Sequence, residues 1–303
     1  MTSKRWITYS LLSMLALAGA GVAANYRLNA FGVFGDVRGK SYQSYLNEDR
    51  EAKYLYSFNY IPSNFDGILV GSSISGNWDT RKIGPAKTYN LSIVDATMTE
   101  ERILAENILS RRKLSLVLFC VYPRMVHTHG RRTAYMQPRD YWTALGSEQL
   151  LREYKNRILA REGHRTPFFD DFGTLDFSNL ERNADHMKAV YRRYHRDEIV
   201  IDETGFAEYA ALVNEARASG ARIVAFVPPH YAEVWNTPDY AAFLSRMKTL
   251  FRPDERIIDF NDEQYDQFRK NPDNFYDGVH ISTKVTDFLV AELNSQLLET
   301  KIQ

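Results

Sequence analysis

The sequence predicts an α/β fold, in which a parallel sheet is covered by helices on both faces as a three-layer α/β/α sandwich, preceded by an apolar helix. Three observations predict it. Short apolar runs of strand length recur along the chain, amphipathic helical patterns lie between several of them, and a long uncharged stretch lies near the N-terminus. Strands that alternate with helices are typical of parallel sheets buried on both faces. Ligands of such sheets bind beyond the carboxyl ends of the strands.

The composition excludes several classes of protein. The 303 residues contain 38 Lys and Arg against 38 Asp and Glu, so the formal net charge is zero and no global field would gather nucleic acid. With 25% charged and 44% hydrophobic residues, the chain is too ordinary in composition to be disordered. The single cysteine, Cys120, excludes an intramolecular disulfide framework but not an oxidising compartment.

The N-terminal segment predicts export. Residues 6–24 carry no charge and directly follow Lys4 and Arg5. As a helix, this stretch approaches the roughly 30 Å thickness of the hydrocarbon core. Its length favours an uncleaved anchor over a signal peptide, although residues 22–24 (Val-Ala-Ala) would serve as a cleavage site and that alternative stays open. Both readings keep the basic residues cytoplasmic, so we expect a single-pass protein of the bacterial inner (cytoplasmic) membrane whose domain faces the periplasm or the cell exterior.

The rest of the chain divides into a stalk and a domain. Residues 25–66 are polar and rich in Tyr, Asn and Asp, which indicates a stalk that packs onto the domain of residues 67–303. Apolar runs predict the strands of this domain. They lie at 67–73, 88–93, 114–121, 222–227 and 256–260.

Helix signals separate several of these strands. Thr97 and Glu100 form a capping-box pattern ahead of an apolar helical period. A second amphipathic helix is predicted over 203–219, where Gly220 would end it, and a last one over 283–298 with Ser282 or Thr283 as its cap.

One interval breaks the alternation. Residues 122–200 are far too long for an ordinary connection and predict a cap inserted over one end of the sheet, with helices near 146–161 and 181–194. Within 124–165, nine basic residues stand against four acidic ones. This excess fits either a solvated helical surface or a site for an anionic or sugar-bearing ligand.

Two short motifs about 200 residues apart carry the chemistry. Ser73 follows the first strand, and Asp277 and His280 form an Asp-x-x-His motif before the last helix. A serine hydroxyl needs a base to become a nucleophile, and an imidazole serves best when a carboxylate orients it. The neighbouring Ser72 and Ser75 are rival nucleophiles.

These motifs give the chain a resemblance to the SGNH (GDSL-like) hydrolase superfamily, over most of residues 64–299. Residues 71–74 (Gly-Ser-Ser-Ile) stand where the family has Gly-Asp-Ser-Leu. The chain most resembles the membrane-anchored, exported branch that includes alginate O-acetylation proteins and the D-alanyl transfer protein of lipoteichoic acid. The resemblance implies a flavodoxin-like sandwich in which Ser73 is the nucleophile, His280 the base and Asp277 the acid.

The resemblance also implies oxyanion donors. The backbone N–H groups of Ser73 and Ser92 are expected to donate, because residues 90–93 (Asn-Leu-Ser-Ile) stand where many members have Asn-Leu-Gly. The third family block, Gly-x-Asn-Asp, has no counterpart, and residues 120–123 (Cys-Val-Tyr-Pro) stand in its place. Losing one such donor typically costs about 10²–10³ in rate, which favours a specialised transferase or a slow enzyme over a general esterase.

Other polar residues are weaker candidates. His230, which ends the fourth strand, and Tyr122, in the third-block position, are candidate substrate contacts. His127 and His129 form a His-x-His pair without a third ligand at suitable spacing, so we expect no metal site and no cofactor.

The sequence therefore predicts an exported, membrane-anchored serine O-acyltransferase, with acetyl as the expected acyl group, that modifies a cell-surface or exopolysaccharide. Its expected partners are the polysaccharide acceptor and an acyl donor delivered by a polytopic membrane acyltransferase. Two alternatives stay open: a periplasmic carbohydrate esterase with the same triad, and a catalytically inactive SGNH-fold scaffold or glycan-binding subunit of a polysaccharide export complex.

Overall fold

Five parallel strands form the sheet of the computed structural model, which describes residues 3–46, 49–84, 86–127, 133–177, 199, 201–232 and 238–299. The strands run in the order β2-β1-β3-β4-β5, and every neighbouring pair is parallel. All five predicted strands are confirmed, most of them shorter at their ends. They are β1 (Gly67–Val70), β2 (Thr88–Asn90), β3 (Leu116–Cys120), β4 (Arg222–Val227) and β5 (Arg256–Asp259).

Helices precede the sheet and connect its strands, so the α/β class is confirmed. The α-helices of the described residues are α1 (Ser3–Leu28), α2 (Asp49–Phe58), α3 (Tyr60–Asn64), α4 (Ser73–Gly76), α5 (Met98–Leu109), α6 (Glu148–Arg161), α7 (Glu203–Ala218), α8 (Pro238–Lys248), α9 (Asp266–Lys270) and α10 (Thr286–Glu299). The capping box at Thr97 and Glu100 begins α5 as predicted. Gly220, with φ +82°, follows α7, and such a left-handed position at a helix end favours glycine.

The last helix begins later than the sequence predicts. Residue 283 was expected to open it, but α10 starts at Thr286 because the chain is still held in a loop before that point. The N–H of Ser282 donates to the carbonyl of Asn274 at 2.8 Å, and Phe275 bridges Ile281 in antiparallel fashion. The helix predicted near 181–194 lies outside the described residues.

Helix α1 is the candidate membrane segment. It spans 26 residues, none of them buried, and it is long and apolar enough to cross a membrane or to serve as a signal sequence. It ends where Asn29 takes a left-handed φ of +47° and its side-chain oxygen accepts the N–H groups of Val33 and Phe34.

The segment expected to be a stalk contributes side chains to the core. Helices α2 and α3 are buried along most of their length. Ser44 bridges Phe169, and the N–H of Tyr45 donates to the Glu153 carboxylate at 3.0 Å, so this segment packs on the inserted residues. Its aromatic rings meet edge to face with those of the sheet, which accounts for its many tyrosines. The rings in this cluster are Tyr42, Tyr56, Tyr60, Phe65, Tyr89 and Phe169.

Candidate active site

Ser73 lies at the carboxyl end of the central part of the sheet. Strand β1 ends at Val70, and Ser73 is the first residue of α4 two positions after Gly71. A Cβ atom on Gly71 would overlap the hydroxyl of Ser75 and approach that of Ser92 to 2.7 Å. The turn therefore needs glycine for its close approach, and this turn brings the hydroxyl of Ser73 to the sheet edge where ligands of parallel sheets bind.

Asp277 and His280 share a tight loop before α10. Gly278 between them has φ +87°, a left-handed conformation that favours glycine. Asp277 Oδ1 accepts the N–H groups of Val279 and His280 at 3.2 and 2.8 Å, while its Oδ2 lies 2.7 Å from His280 Nδ1. The N–H of Tyr231 holds the same loop from the end of β4, because it donates to the carbonyl of Gly278 at 2.8 Å.

The electrostatics of this loop keep the carboxylate ionised. Burial alone would raise the pKa of Asp277, but the hydrogen bond and charge interaction with His280 and the two backbone N–H donors outweigh it, so the pKa lies below its ordinary value. An ionised Asp277 that accepts from Nδ1 leaves Nε2 of the imidazole as the basic nitrogen.

The loop and the turn meet to complete a triad. Ser73 Oγ lies 2.9 Å from His280 Nε2, and His280 Nδ1 lies 2.7 Å from Asp277 Oδ2. Hydrogen-bond distances therefore link all three side chains. In this arrangement, His280 is placed to take the serine proton and Asp277 to stabilise the imidazolium that forms. The structure thus brings together the three residues that the sequence singled out.

The two rival serines are not placed for catalysis. Ser75 is fully buried, and its hydroxyl donates to the carbonyl of Ser72 at 3.1 Å and lies 2.9 Å from the hydroxyl of Ser92. Ser72 is also buried, and its hydroxyl has no hydrogen-bond partner among the described residues. Neither hydroxyl contacts a base, so the geometry leaves Ser73 as the nucleophile candidate.

Ser92 is not available as an oxyanion donor. It is fully buried, and its N–H donates to Asn90 Oδ1 at 3.1 Å, so the expectation from the resemblance is wrong at this residue. The turn that does reach the site lies three residues further on. Asp95 there has φ +55°, and both Asp95 and Ala96 line the small cavity beside Ser73.

A small cavity of about 30 Å³ opens next to the triad. Ser73 and His280 form one wall, and the segments after β2 and β3 form the others. Its lining residues are Ser72, Ser73, Asp95, Ala96, Tyr122, Arg124 and His280. Tyr122 therefore lies at the site, as the sequence suggested, and Arg124 is a site residue that it did not single out.

His230 has a different place. The residue is 3% exposed, and its ring packs edge to face on Tyr240 with centroids 5.1 Å apart. Burial, together with the charge of Arg269, lowers the pKa of His230 to about 3. His230 lines neither the small cavity nor the larger groove described below. Its segment instead contacts the loop of Asp277 and His280 through the neighbouring Tyr231.

Asn90 is the residue that shapes the turn carrying Ser73. Fully buried, it donates from Nδ2 to the carbonyls of Ser75, Gly76 and Trp78 at 2.8 to 3.1 Å, and it accepts the Ser92 N–H. Those three carbonyls belong to the end of α4 and the turn after it, where the carbonyl of Ser75 also accepts the N–H of Trp78 and that of Gly76 the N–H of Leu175. The side-chain amide of Asn90 thus links α4 to the end of β2 and the segment after it.

Lys53 supports the same region from α2. Its fully buried ammonium donates to the carbonyls of Asn90, Ser92 and Gly173 at 3.0, 2.6 and 2.9 Å. Burial lowers the pKa of Lys53 to about 8, and the carboxylates of Asp49 and Glu101 oppose that shift. Lys53 joins the segment that follows β2 to the inserted chain.

The residues of the described part of the chain offer no cluster of three or more His, Cys, Asp or Glu side chains suited to a metal ion. His127 is described, whereas His129, its partner in the His-x-His pair, lies outside the described residues.

A scan against models of protein families found no match, and a search of curated proteins found none either.

Proposed function

We propose that the chain is an exported, membrane-anchored serine O-acyltransferase of the SGNH type, which transfers a small acyl group to a hydroxyl of a cell-surface or exopolysaccharide. The observation that carries the proposal is the unbroken hydrogen-bond chain from Ser73 Oγ through His280 to Asp277, at 2.9 and 2.7 Å. A serine, a histidine and an aspartate in this arrangement form acyl-transfer sites on unrelated folds.

The order of the strands supports this assignment. An all-parallel sheet in the order 2-1-3-4-5 is the doubly wound, flavodoxin-like order, and its ligands bind where the strand order reverses, between β1 and β3. Ser73 follows β1, and Tyr122 and Arg124 follow β3. The triad and its small cavity lie at that switch point, and the finer proposal is a three-layer SGNH-like sandwich.

The proposed reaction has two halves. Ser73 Oγ attacks the carbonyl carbon of the acyl donor, its proton passes to His280 Nε2, and the donor's leaving oxygen takes that proton as its bond to carbon breaks. The acyl group is then an ester of Ser73. In the second half, His280 removes the proton of the acceptor hydroxyl, which attacks the ester carbon, and Ser73 regains its proton as the ester bond breaks.

The oxyanion of each half needs backbone donors. We assign them to the N–H of Ser73 and to the turn formed by Asp95 and Ala96, because the N–H of Ser92 is engaged by Asn90. Arg124 lines the same cavity, where its guanidinium lies 4.0 Å from the Asp95 carboxylate. In this proposal, these groups stabilise the oxyanion in place of the asparagine of the family's third block.

The size of the cavity supports a small acyl group. A cavity of only about 30 Å³ beside Ser73 favours a small acyl group, such as acetyl, over a long chain. Helix α1, which is long and apolar enough to cross a membrane, supports the proposal that the reaction takes place at the membrane surface. A polytopic membrane acyltransferase would supply the acyl donor there.

The same triad would serve an esterase, whereas an inactive scaffold would not need its geometry. The deciding experiment supplies an acetyl ester to the full-length chain with and without an oligosaccharide acceptor, and follows both free acetate and acetylated sugar. We expect the acceptor to divert acetyl groups from water to the sugar. Acetate release that is unchanged by the acceptor would establish an esterase, and no turnover of any ester would favour the scaffold.

A further inference from the structure

A second, larger opening lies beside the triad. It is a groove of about 460 Å³. The residues that line it are Asn77, Asp79, Arg81, Lys82, Pro167, Asp170, Thr174, Leu175, Asp176, Phe177, Thr283, Thr286 and Asp287. Two parts of its lining come directly after the catalytic residues in the chain. Asn77 follows α4, and Thr283 follows the loop of Asp277 and His280.

The groove and the small cavity flank the catalytic histidine. The ring of His280 packs edge to face on Phe177, with centroids 6.1 Å apart, and Phe177 lines the groove. His280 itself lines the small cavity. Asn77 ties the groove to the catalytic loop, because its Nδ2 donates to the carbonyl of Ile281 at 2.8 Å. A molecule that extends from the groove past Phe177 would therefore reach His280 next to the small cavity.

The charges of the groove disfavour an anionic occupant. Its described lining holds four carboxylates and two basic groups. Both basic groups are paired: Arg81 lies 2.8 Å from Asp79 and 3.0 Å from Asp170, and Lys82 lies 2.6 Å from Asp287. A polymer that carries a carboxylate or phosphate on each unit would meet net negative charge here, at a cost in binding free energy.

Two residues that line the groove carry buried, uncharged polar atoms. Asn77 Oδ1 and Thr174 Oγ1 have no hydrogen-bond partner among the described residues, and Asn77 is 97% buried, being 3% exposed. Such buried, unmatched polar atoms are costly until a ligand or water satisfies them. Together with the apolar ring of Phe177, they suit a hydroxyl-rich molecule that has an apolar face.

We propose that this groove binds the acyl acceptor and that the acceptor is an uncharged sugar chain, not a polyuronate or a phosphate polymer. The inference rests on the proposed function for the role of acceptor, but the binding preference stands on the groove itself. In the transfer step, a sugar hydroxyl from the groove side loses its proton to His280 Nε2, its oxygen bonds to the acyl carbon, and the bond from that carbon to Ser73 Oγ breaks with return of the proton to Ser73.

The test measures binding without turnover. The full-length Ser73→Ala chain in detergent micelles is titrated with hexamers of β-1,4-linked glucose and N-acetylglucosamine, and separately with a hexamer of mannuronate and a glycerol phosphate oligomer. We expect at least one uncharged hexamer to bind about tenfold more tightly than either anionic one. Equal or tighter binding of an anionic oligomer, or no binding of any hexamer, would overturn the inference. Failure of wild-type chain to cleave esters, with this preference intact, would overturn the proposed function alone.

Two matched pairs of variants locate the binding. Thr174→Val removes a hydroxyl of the groove lining at nearly constant shape and is expected to weaken binding of the uncharged hexamer about fivefold. Thr249→Val, at an exposed position just after α8, is expected to leave that binding unchanged. Asp287→Lys is expected to tighten binding of the mannuronate hexamer about fivefold, and Asp239→Lys, on exposed α8, to do so less than twofold. Equal effects of a groove variant and its control would contradict the location.

Discussion

Ser73 Oγ and His280 Nε2 lie 2.9 Å apart although 207 positions separate the two residues in the chain. The parallel sheet accounts for this, because the turn after β1 and the loop before α10 reach the same edge of the sheet. Local structure then fixes each partner. Gly71 permits the turn that carries the serine, and Gly278 permits the loop in which Asp277 orients the imidazole.

Asp277→Asn is expected to lower the rate of ester cleavage by about 10⁴, because an amide at this position favours the wrong tautomer of His280. The measurement is the kcat of the purified full-length chain with an acetyl ester. Asp239→Asn, at an exposed position on α8, is the control and should leave the rate unchanged. A loss smaller than tenfold in Asp277→Asn would contradict the proposed role of the carboxylate.

The same carboxylate makes a pH-dependent contribution to stability. The pKa of Asp277 lies below its ordinary value of 3.8 in the folded chain, so its ionised form favours folding. This stabilisation is fully present above about pH 4 to 5 and is lost as the pH falls through the folded-state pKa. The difference in free energy of unfolding between wild type and Asp277→Asn, from urea titrations, should therefore shrink steadily below pH 4. A difference that stays constant to pH 2 would refute the argument.

Asn90→Asp is expected to lower the free energy of unfolding by about 3 kcal/mol, since it replaces an amide donor to three carbonyls by an acceptor. The comparison is Asn214→Asp, the same change at an exposed position of α7. Urea titration measures both. Equal free energies of unfolding for Asn90→Asp and Asn214→Asp would show that Asn90 does not hold the turn that carries Ser73.

Lys53→Met is expected to reduce kcat more than it raises the KM for the acyl donor. The change leaves the carbonyls of Asn90, Ser92 and Gly173 without their shared donor, and the segment leading to the small cavity then loses its support. Lys53→Arg, which keeps the positive charge and the donors, should recover part of the rate. Identical kcat values in Lys53→Met and wild type would show that Lys53 has no positioning role.

The sequence predicts the sheet and the triad because both depend on local patterns. Apolar runs mark all five strands, and the fixed spacing in Asp-x-x-His places Asp277 and His280 on one loop. The direction of the Ser92 N–H could not be predicted in this way. It depends on the side chain of Asn90 and on the left-handed turn at Asp95, where a non-glycine residue gives no signal for that conformation.

The buried charges of α2 were equally hidden. Its sequence, DREAKYLYSF, has the composition of a solvated helix, yet Arg50 and Lys53 are almost fully buried. Their partners come from distant parts of the chain, such as Glu100, whose carboxylate lies 2.7 Å from Arg50 Nε, and Gly173, whose carbonyl accepts from Lys53 at 2.9 Å. Only the fold shows that these charges are matched, which is what makes their burial tolerable.

Covalent trapping of the nucleophile tests the central claim most directly. The full-length chain is treated with a fluorophosphonate that phosphonylates activated serines, and the modified peptide is identified by mass spectrometry. We expect the label on Ser73, a loss of labelling of at least about 10³-fold in His280→Ala, and unchanged labelling in Ser295→Ala, an exposed serine of α10. Label on Ser72 or Ser75, or labelling of Ser73 that does not depend on His280, would contradict the account.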